Sequence, residues 1–190
     1  MSCGEPLCFY LVYIYFNPLL KESFGYSCED VIRHNFFLSL IGMSFTILMA
    51  YLSYRIHPIK ILKIRGTLAF FIMISLPFLI LNATNSTQVF LIQTLVIALI
   101  LETMPADAVC LVHFPFYRRV TSAAFLFALS RALMFAVTSF GLVYLENFFG
   151  HFGLWFIILP ITVAYLYGVR HFERLERRLG WYPNLVRKAV

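Results

Sequence analysis

The chain has 190 residues, of which 61% are hydrophobic and 13% are charged, with a formal net charge of +6. A soluble domain carries roughly 45–50% apolar and about 25% charged residues, so this composition excludes an ordinary soluble globule and indicates an integral membrane protein. The basic residues lie in short gaps between long apolar runs. That pattern is typical of membrane loops and argues against nucleic acid as a partner.

Six apolar runs predict six membrane-spanning helices. A helix needs about 20 mostly apolar residues to cross the hydrocarbon, with about 17 as the lower limit, and the first run is the weakest of the six. The predicted fold is an all-α transmembrane bundle. Its predicted spans cover residues 7–20, 35–54, 67–83, 89–112, 121–145 and 152–169.

Lys and Arg residues between the spans predict the orientation. Twelve lie on one side, in residues 55–66, 113–120 and the tail, and two, Lys21 and Arg33, lie on the other. The positive-inside rule assigns the richer side to the cytoplasm, and with it both termini. We therefore expect a multi-pass protein of the inner or plasma membrane.

Residues 170–190 predict a basic cytoplasmic tail that begins as an amphipathic surface helix. Phe172, Leu175 and Leu179 recur three and four residues apart, with arginines around them. A segment of this kind lies on anionic lipid headgroups. A regulatory coiled coil is the alternative, but it needs three or four heptads and the tail has room for about one and a half.

Three charged residues lie within the predicted spans: Glu102, Asp107 and Arg131. A charge at mid-bilayer costs at least about 2.5–3.5 kcal/mol, so each needs a reason to be there. Glu102 and Arg131 lie about 16 Å deep in consecutive spans, which usually pack side by side, so we expect them to form an ion pair. Either the pair only fixes the helix register, or Glu102 takes up and releases a proton during transport, with Arg131 tuning its protonation.

Other polar residues in the spans have two interpretations each. Asp107, about 9 Å deep, faces a cytoplasmic vestibule in the transport hypothesis, and Pro105 predicts a kink in the fourth span. Asn17 and Gln93 are candidate substrate ligands, although hydrogen bonds between helices are commoner for such residues. His34 is interpreted as an interfacial residue rather than a proton carrier.

The cysteine pattern predicts no metal site and no cofactor. None of the four cysteines forms a CxxC pair, and no histidine lies at metal spacing from two of them. Cys110 and His113 are three residues apart, which suggests a membrane hydrolase as a third class of function. No orienting acid or oxyanion donor lies near them in sequence, so we do not expect an enzyme.

Three stretches carry a resemblance to a known family. They are an aromatic run into Asn-Pro-Leu-Leu and Gly-Tyr-Ser (residues 9–27), a glycine-containing run ending in Leu-Ser-Tyr-Arg (residues 42–55), and His-Phe-Pro-Phe-Tyr-Arg-Arg with its continuation (residues 113–123). In order and spacing they are similar to helix seven, the end of helix eight and the junction of helices ten and eleven of major facilitator superfamily transporters. The chain resembles the C-terminal six-helix half, in the metabolite:proton symporter branch that includes the proline/betaine transporters.

The resemblance implies a proton-coupled symporter for small zwitterionic solutes such as proline or betaine, acting by alternating access. Arg55, Pro115 and Arg119 match its cytoplasmic loop motifs, whereas Tyr54 stands where the family has aspartate. A family transporter has two six-helix halves, so the expected partner is an N-terminal half or a second copy of this chain. The alternative is a truncated, transport-inactive remnant that still inserts in the membrane.

Overall fold

The computed structural model describes residues 1–114, 116–179 and 182, apart from the side chains of Phe116, Val143, Glu146 and Asn147. The described residues are almost entirely helical and contain no strand. The helices are α1 (Gly4–Tyr10), α2 (Phe16–Phe24), α3 (Cys28–Ser53), α4 (Pro58–Leu81), α5 (Ser86–Ala98), α6 (Asp107–Val112), α7 (Arg119–Phe149) and α8 (Leu154–Arg178). A π-helical turn, Leu11–Tyr15, joins α1 to α2, and short 3₁₀ turns occupy Met104–Ala106, Phe116–Arg118 and Gly150–Gly153.

Local sequence signals explain where several helices begin and end. Gly25 ends α2 in the left-handed region at φ 64°, which glycine adopts at little cost. Ser27 and Asp30 form a capping box at the start of α3, and Asn85 and Gln88 form another at the start of α5. Pro58 occupies the first turn of α4, where its missing N–H costs nothing.

Four helices are long and apolar enough to cross a membrane: Cys28–Ser53, Pro58–Leu81, Arg119–Leu142 and Gly150–Arg178. They correspond to four of the six predicted spans, so the structure confirms that the described chain is all-helical, with four helices that could span a membrane. Ser86–Ala98 is a shorter apolar helix. The predicted spans at residues 7–20 and 89–112 are each built from shorter pieces.

The prediction of one continuous helix over residues 89–112 is wrong. The chain leaves the helix after Ala98, and residues 99–103, here called the break, precede the 3₁₀ turn at Met104–Ala106. The predicted proline kink is therefore a full interruption, and it begins several residues before Pro105. The N-terminal segment, residues 4–24, differs in that its path stays helical through the π-helical turn.

The boundary predicted at Val169 between the last span and a surface tail is also not what the structure shows. Helix α8 continues without interruption to Arg178. Glu173 and Glu176, on its last turns, are buried. The end of α8 therefore packs into the bundle through part of its surface, which a helix lying flat on lipid would not do.

The N-terminal segment lies at the centre of the bundle. Leu7, Leu11, Phe16 and Leu20 are fully buried in one hydrophobic core. Around it, α4 packs along α8, α3 packs against α5, and α1 packs against α7. The N-terminal segment also contacts α8, and α4 also contacts α5.

The two ends of the bundle are distinct. The basic end holds the α3–α4 connection, the start of α7 and the end of α8, with Arg55, Lys60, Arg119 and Arg174. The opposite end holds the connections at residues 25–27, 82–85 and 150–153. Trp155 of α8 donates a hydrogen bond to the Ile74 carbonyl of α4 at 3.1 Å in the half nearer that end.

We predict that Gly66→Leu separates α4 from α8 and destabilises the bundle by about 1–3 kcal/mol, the usual cost of overpacking a core. A Cβ at Gly66 would lie 2.9 Å from both Leu166 Cδ2 and Tyr165 Cε1, closer than real Cβ contacts allow. Thermal unfolding in detergent measures the loss. Ala128→Leu, which adds a side chain at an exposed position of α7, is the control. Equal stability of the Gly66→Leu variant and the wild type would contradict the prediction.

Candidate functional site

A small cavity lies between the N-terminal segment, α3 and the break. Its volume is about 190 Å³, and Phe9, Tyr13, Phe45, Arg65 and Glu102 are among the residues that line it. Drug-sized ligand pockets measure roughly 300–1,000 Å³, so this central cavity suits a solute of only a few heavy atoms. Aromatic rings form its apolar walls, and one buried ion pair supplies its charge.

The ion pair joins Arg65 of α4 to Glu102 of the break. Arg65 Nη1 lies 3.2 Å from Glu102 Oε1, and the two side chains are 6% and 12% exposed. Arg65 Nη2 also donates to the Ile100 carbonyl at 2.9 Å, and Tyr165 Oη donates to the Glu102 carbonyl at 3.0 Å. These side chains satisfy carbonyl groups that the helix interruption leaves free, which is the condition for irregular backbone inside a membrane bundle.

Glu102 also borders a second, smaller cavity. This cavity, of about 100 Å³, lies towards the basic end and is lined by Ser53 of α3 and by Met104 and Pro105 of the 3₁₀ turn. The carboxylate therefore stands between the central cavity and a hollow that leads towards one end of the bundle. A group in that position can contact solutes or protons on both sides.

The predicted ion pair between Glu102 and Arg131 is wrong, because each residue has another partner. Arg131 of α7 is paired with Glu5 of α1, and its guanidinium lies 4.4 Å from the ring centroid of Phe127. The prediction failed because consecutive spans were assumed to pack together at this depth. The N-terminal segment lies against α7 instead, and α4 lies against the break.

The Glu5–Arg131 pair differs from the Arg65–Glu102 pair in its exposure. The side chains of Arg131 and Glu5 are 43% and 34% exposed. Arg131 is about 18 Å along α7 from the basic end, close to the middle of a bilayer-sized helix. A half-exposed charge pair at this depth is costly in lipid, so it needs water or protein beside it.

Asn17 and Gln93, the predicted substrate ligands, both make hydrogen bonds between helices. Asn17 Oδ1 accepts from Asn35 Nδ2 of α3 at 3.0 Å. Gln93 is fully buried, and its amide bridges His34 of α3 and the Val12 carbonyl of the π-helical turn. Neither is among the residues that line the central cavity.

The remaining predicted site residues lie nearer the basic end. Asp107 is exposed and lines a hollow of about 600 Å³ formed by α6, α7, α8 and the first residues of the chain. Arg55 is exposed in the α3–α4 connection, and Arg119 begins α7, where its Nη2 donates to the Val112 carbonyl at 3.4 Å. Pro115 lies outside the described residues.

Sequence reasoning missed a cluster of buried acids at the basic end, here called the α8 acid cluster: Glu173, Glu176 and their partners. Glu173 accepts from Lys63 of α4 at 2.9 Å and from Arg177 at 2.7 Å. Glu176 Oε1 lies 2.9 Å from His113 Nε2, and its other oxygen is buried without a hydrogen-bond partner among the described residues.

His57, in the α3–α4 connection, is the titratable group beside this cluster. Its side chain is buried and its ring lies 5.0 Å from that of Tyr182. Burial lowers the pKa of His57 below its ordinary value, and the negative charge of Glu176 opposes that shift. His57 is therefore expected to be neutral at pH 7.

One sequence signal for the α8 acid cluster was present. Glu173 and Glu176 are three residues apart, so they share one face of a helix whose other faces carry arginines. Residues 170–190 were expected to form a surface helix, on which acids stay solvated, so this spacing was not singled out. Glu5 and Arg65 were missed because they lie outside the predicted spans, in an apparent terminus and an apparent loop.

No protein-family model, curated protein or solved structure matches this chain. The arrangement offers a buried cation and a buried anion beside aromatic rings, at an interrupted helix within an apolar bundle.

Proposed function

We propose that this protein is part of a proton-coupled secondary transporter for small zwitterionic solutes such as proline or betaine, acting by alternating access. One observation carries the proposal: the Arg65–Glu102 pair lines a 190 Å³ aromatic cavity at an interrupted helix. Interrupted helices near mid-depth are the recurring substrate sites of secondary transporters.

The chemistry of the cavity matches both ends of a zwitterion. Arg65 offers a guanidinium that can bind the carboxylate of a zwitterion once Glu102 releases it. The rings of Phe9, Tyr13 and Phe45 provide faces that attract a cation, including one without N–H donors. A bound zwitterion can then place its carboxylate on Arg65 and its cationic group on the aromatic faces.

Glu102 is the proposed carrier of the coupled proton. It borders both the central cavity and the smaller cavity towards the basic end. When a proton neutralises Glu102, its hold on Arg65 weakens and the guanidinium becomes available to the solute. Solute and proton binding thereby favour each other, which is the requirement for symport.

The proposed organisation has six spans, of which the four long apolar helices supply four. Six crossings would form two units of three that run in opposite directions, as in the inverted repeats of transporter halves. In this proposal the N-terminal segment and the interrupted residues 86–112 are the two additional spans. Both termini and the basic end face the cytoplasm, as the positive-inside rule predicts.

The exposed faces of α3 and α7 support a partner. Large apolar side chains are exposed along both helices, among them Phe36, Met43, Phe125 and Phe140. Lipid accepts those side chains. It does not accept the half-exposed ion pair between Glu5 and Arg131, and Arg131 belongs to α7. We propose that an N-terminal transporter half, or a second copy of this chain, covers that pair and closes the substrate pathway.

Uptake of labelled proline and glycine betaine into proteoliposomes tests the proposal. We expect uptake that depends on an inward proton gradient, and its loss in Glu102→Gln while folding is retained. Glu29→Gln, which changes an exposed acid at the start of α3, is the matched control and should leave uptake unchanged. Liposomes with this chain alone are compared with liposomes that also contain a separately encoded N-terminal half.

Two results would contradict parts of the proposal. Uptake that survives in Glu102→Gln with full gradient dependence would remove Glu102 from the coupling. No uptake in either preparation, from protein shown to be folded, would favour the alternative of a transport-inactive remnant.

A further inference from the structure

The hollow of about 600 Å³ beside Asp107, here called the α7 hollow, is separate from the central cavity, since the two share no lining residue. Phe114, Phe127 and Phe172 contribute aromatic rings to its walls, and Ala123 of α7 contributes only a small side chain. Its volume falls within the roughly 300–1,000 Å³ of drug-sized ligand pockets. The α7 hollow therefore suits a much larger ligand than the central cavity does.

Two charged side chains, Asp107 and Arg119, line the α7 hollow, and they differ in their bonding. Arg119 Nη2 donates to the Val112 carbonyl at 3.4 Å, so its guanidinium is engaged in holding the connection between α6 and α7. Asp107 forms no ion pair and no side-chain hydrogen bond with any other described residue. A carboxylate among apolar walls needs water or a counter-ion beside it, and here a ligand can supply the counter-ion.

The α7 hollow is open at the surface of the bundle. Val120 and Leu126 of α7 line it and are 81% and 47% exposed. Because α7 is long and apolar enough to cross a membrane, a ligand dissolved in the leaflet at the basic end can enter the hollow from the side. Anionic headgroups concentrate cations in such a leaflet, and the faces of aromatic rings attract cations further.

We propose that the α7 hollow binds an amphipathic organic cation, whose charge lies beside Asp107 and whose apolar body packs against the three phenylalanine rings. An anion of the same shape would meet the Asp107 carboxylate and the negative faces of the rings, so the hollow discriminates by charge. The inference goes beyond the proposed function, because this hollow contains neither Arg65 nor Glu102 and its ligand is not the transported zwitterion.

Tetraphenylphosphonium and tetraphenylborate, ions of nearly the same shape and opposite charge, test the proposal. Equilibrium dialysis against nanodiscs that contain this chain measures the binding of each ion, and empty nanodiscs of the same lipids give the background. We expect saturable binding of the phosphonium ion above this background. Its dissociation constant should rise about tenfold in Asp107→Asn, because the counter-charge is lost. Binding of the borate ion should not weaken in this variant, since the change removes a like charge.

A second variant tests the shape of the hollow. Ala123→Phe places a ring in the hollow and keeps Asp107, so it should weaken binding of the phosphonium ion. Glu29→Gln, which changes an exposed acid of α3, is the matched control and should leave the binding of both ions unchanged.

Two results would overturn the proposal: phosphonium binding at the background level in the wild type, or equal binding in the wild type and Asp107→Asn. Asp107 is exposed, so the asparagine variant should fold as the wild type does. Neither result involves uptake of a solute, so this site can fail while the proposed transport stands, and the transport can fail while this site stands.

Discussion

Arg65→Leu is expected to lower the free energy of unfolding by about 3–5 kcal/mol, the cost of leaving one partner of a buried ion pair alone. Glu102 is 12% exposed, so its charge would lose its counter-ion without gaining water. The Ile100 carbonyl would lose a donor at the same time. Chemical or thermal unfolding of the purified protein in detergent measures the change.

Two further variants separate this cause from a general loss of packing. The double variant Arg65→Leu/Glu102→Leu removes both charges, so it should be more stable than the single variant. Arg131→Leu should cost less than Arg65→Leu, because its partner Glu5 is 34% exposed and can remain hydrated. A single variant as stable as the wild type would show that the Arg65–Glu102 pair does not hold the break in place.

His113→Leu is expected to produce the second large effect, about 1.5–3 kcal/mol, the usual worth of a hydrogen bond to a buried charged group. Glu176 is 1% exposed at its side chain, and His113 supplies its hydrogen bond at 2.9 Å. The other carboxylate oxygen is already buried without a partner among the described residues. Without His113, both oxygens would be buried and unpaired, so the end of α8 should detach from the bundle.

Lys63→Leu is the matched control for this variant. Lys63 pairs with Glu173, one turn before Glu176 on the same helix, but Glu173 keeps Arg177 as a second partner. Lys63 is 44% exposed at its side chain, so its loss should cost no more than about 1 kcal/mol. Equal effects of the two variants would contradict the assignment of Glu176 as the acid that depends on a single partner.

Much of the helical architecture follows from hydropathy alone. The runs at residues 35–54, 67–83, 121–145 and 152–169 correspond to long apolar helices, because about 20 apolar residues have few stable alternatives to a helix. The break at residues 99–103 was not predictable, since Leu99, Ile100 and Leu101 are as apolar as a span. Arg65 and Tyr165, from other helices, donate hydrogen bonds to carbonyls of the break. Hydropathy carries no information about these partners.

The same limit applies to the candidate site. Glu102 and Arg131 could be picked out because charges in apolar runs are costly. Their partners could not, because Glu5 lies 126 residues from Arg131 and Arg65 lies 37 residues from Glu102. Pairing between distant residues depends on which helices are neighbours, and the sequence specifies this only through packing of the whole bundle. The assumption that neighbours in sequence are neighbours in space gave the wrong pair.

The central position of the N-terminal segment has a consequence for biosynthesis. Glu5 is translated 126 residues before Arg131, and at about 5–20 residues per second this delay is on the order of ten seconds. During that interval the first segment has neither its counter-ion nor α7 and α8 to pack against. It must wait at the translocon, in the membrane interface or with an insertion chaperone until the last helices arrive. Assembly of the described bundle therefore finishes at the helix that is translated before all its other helices.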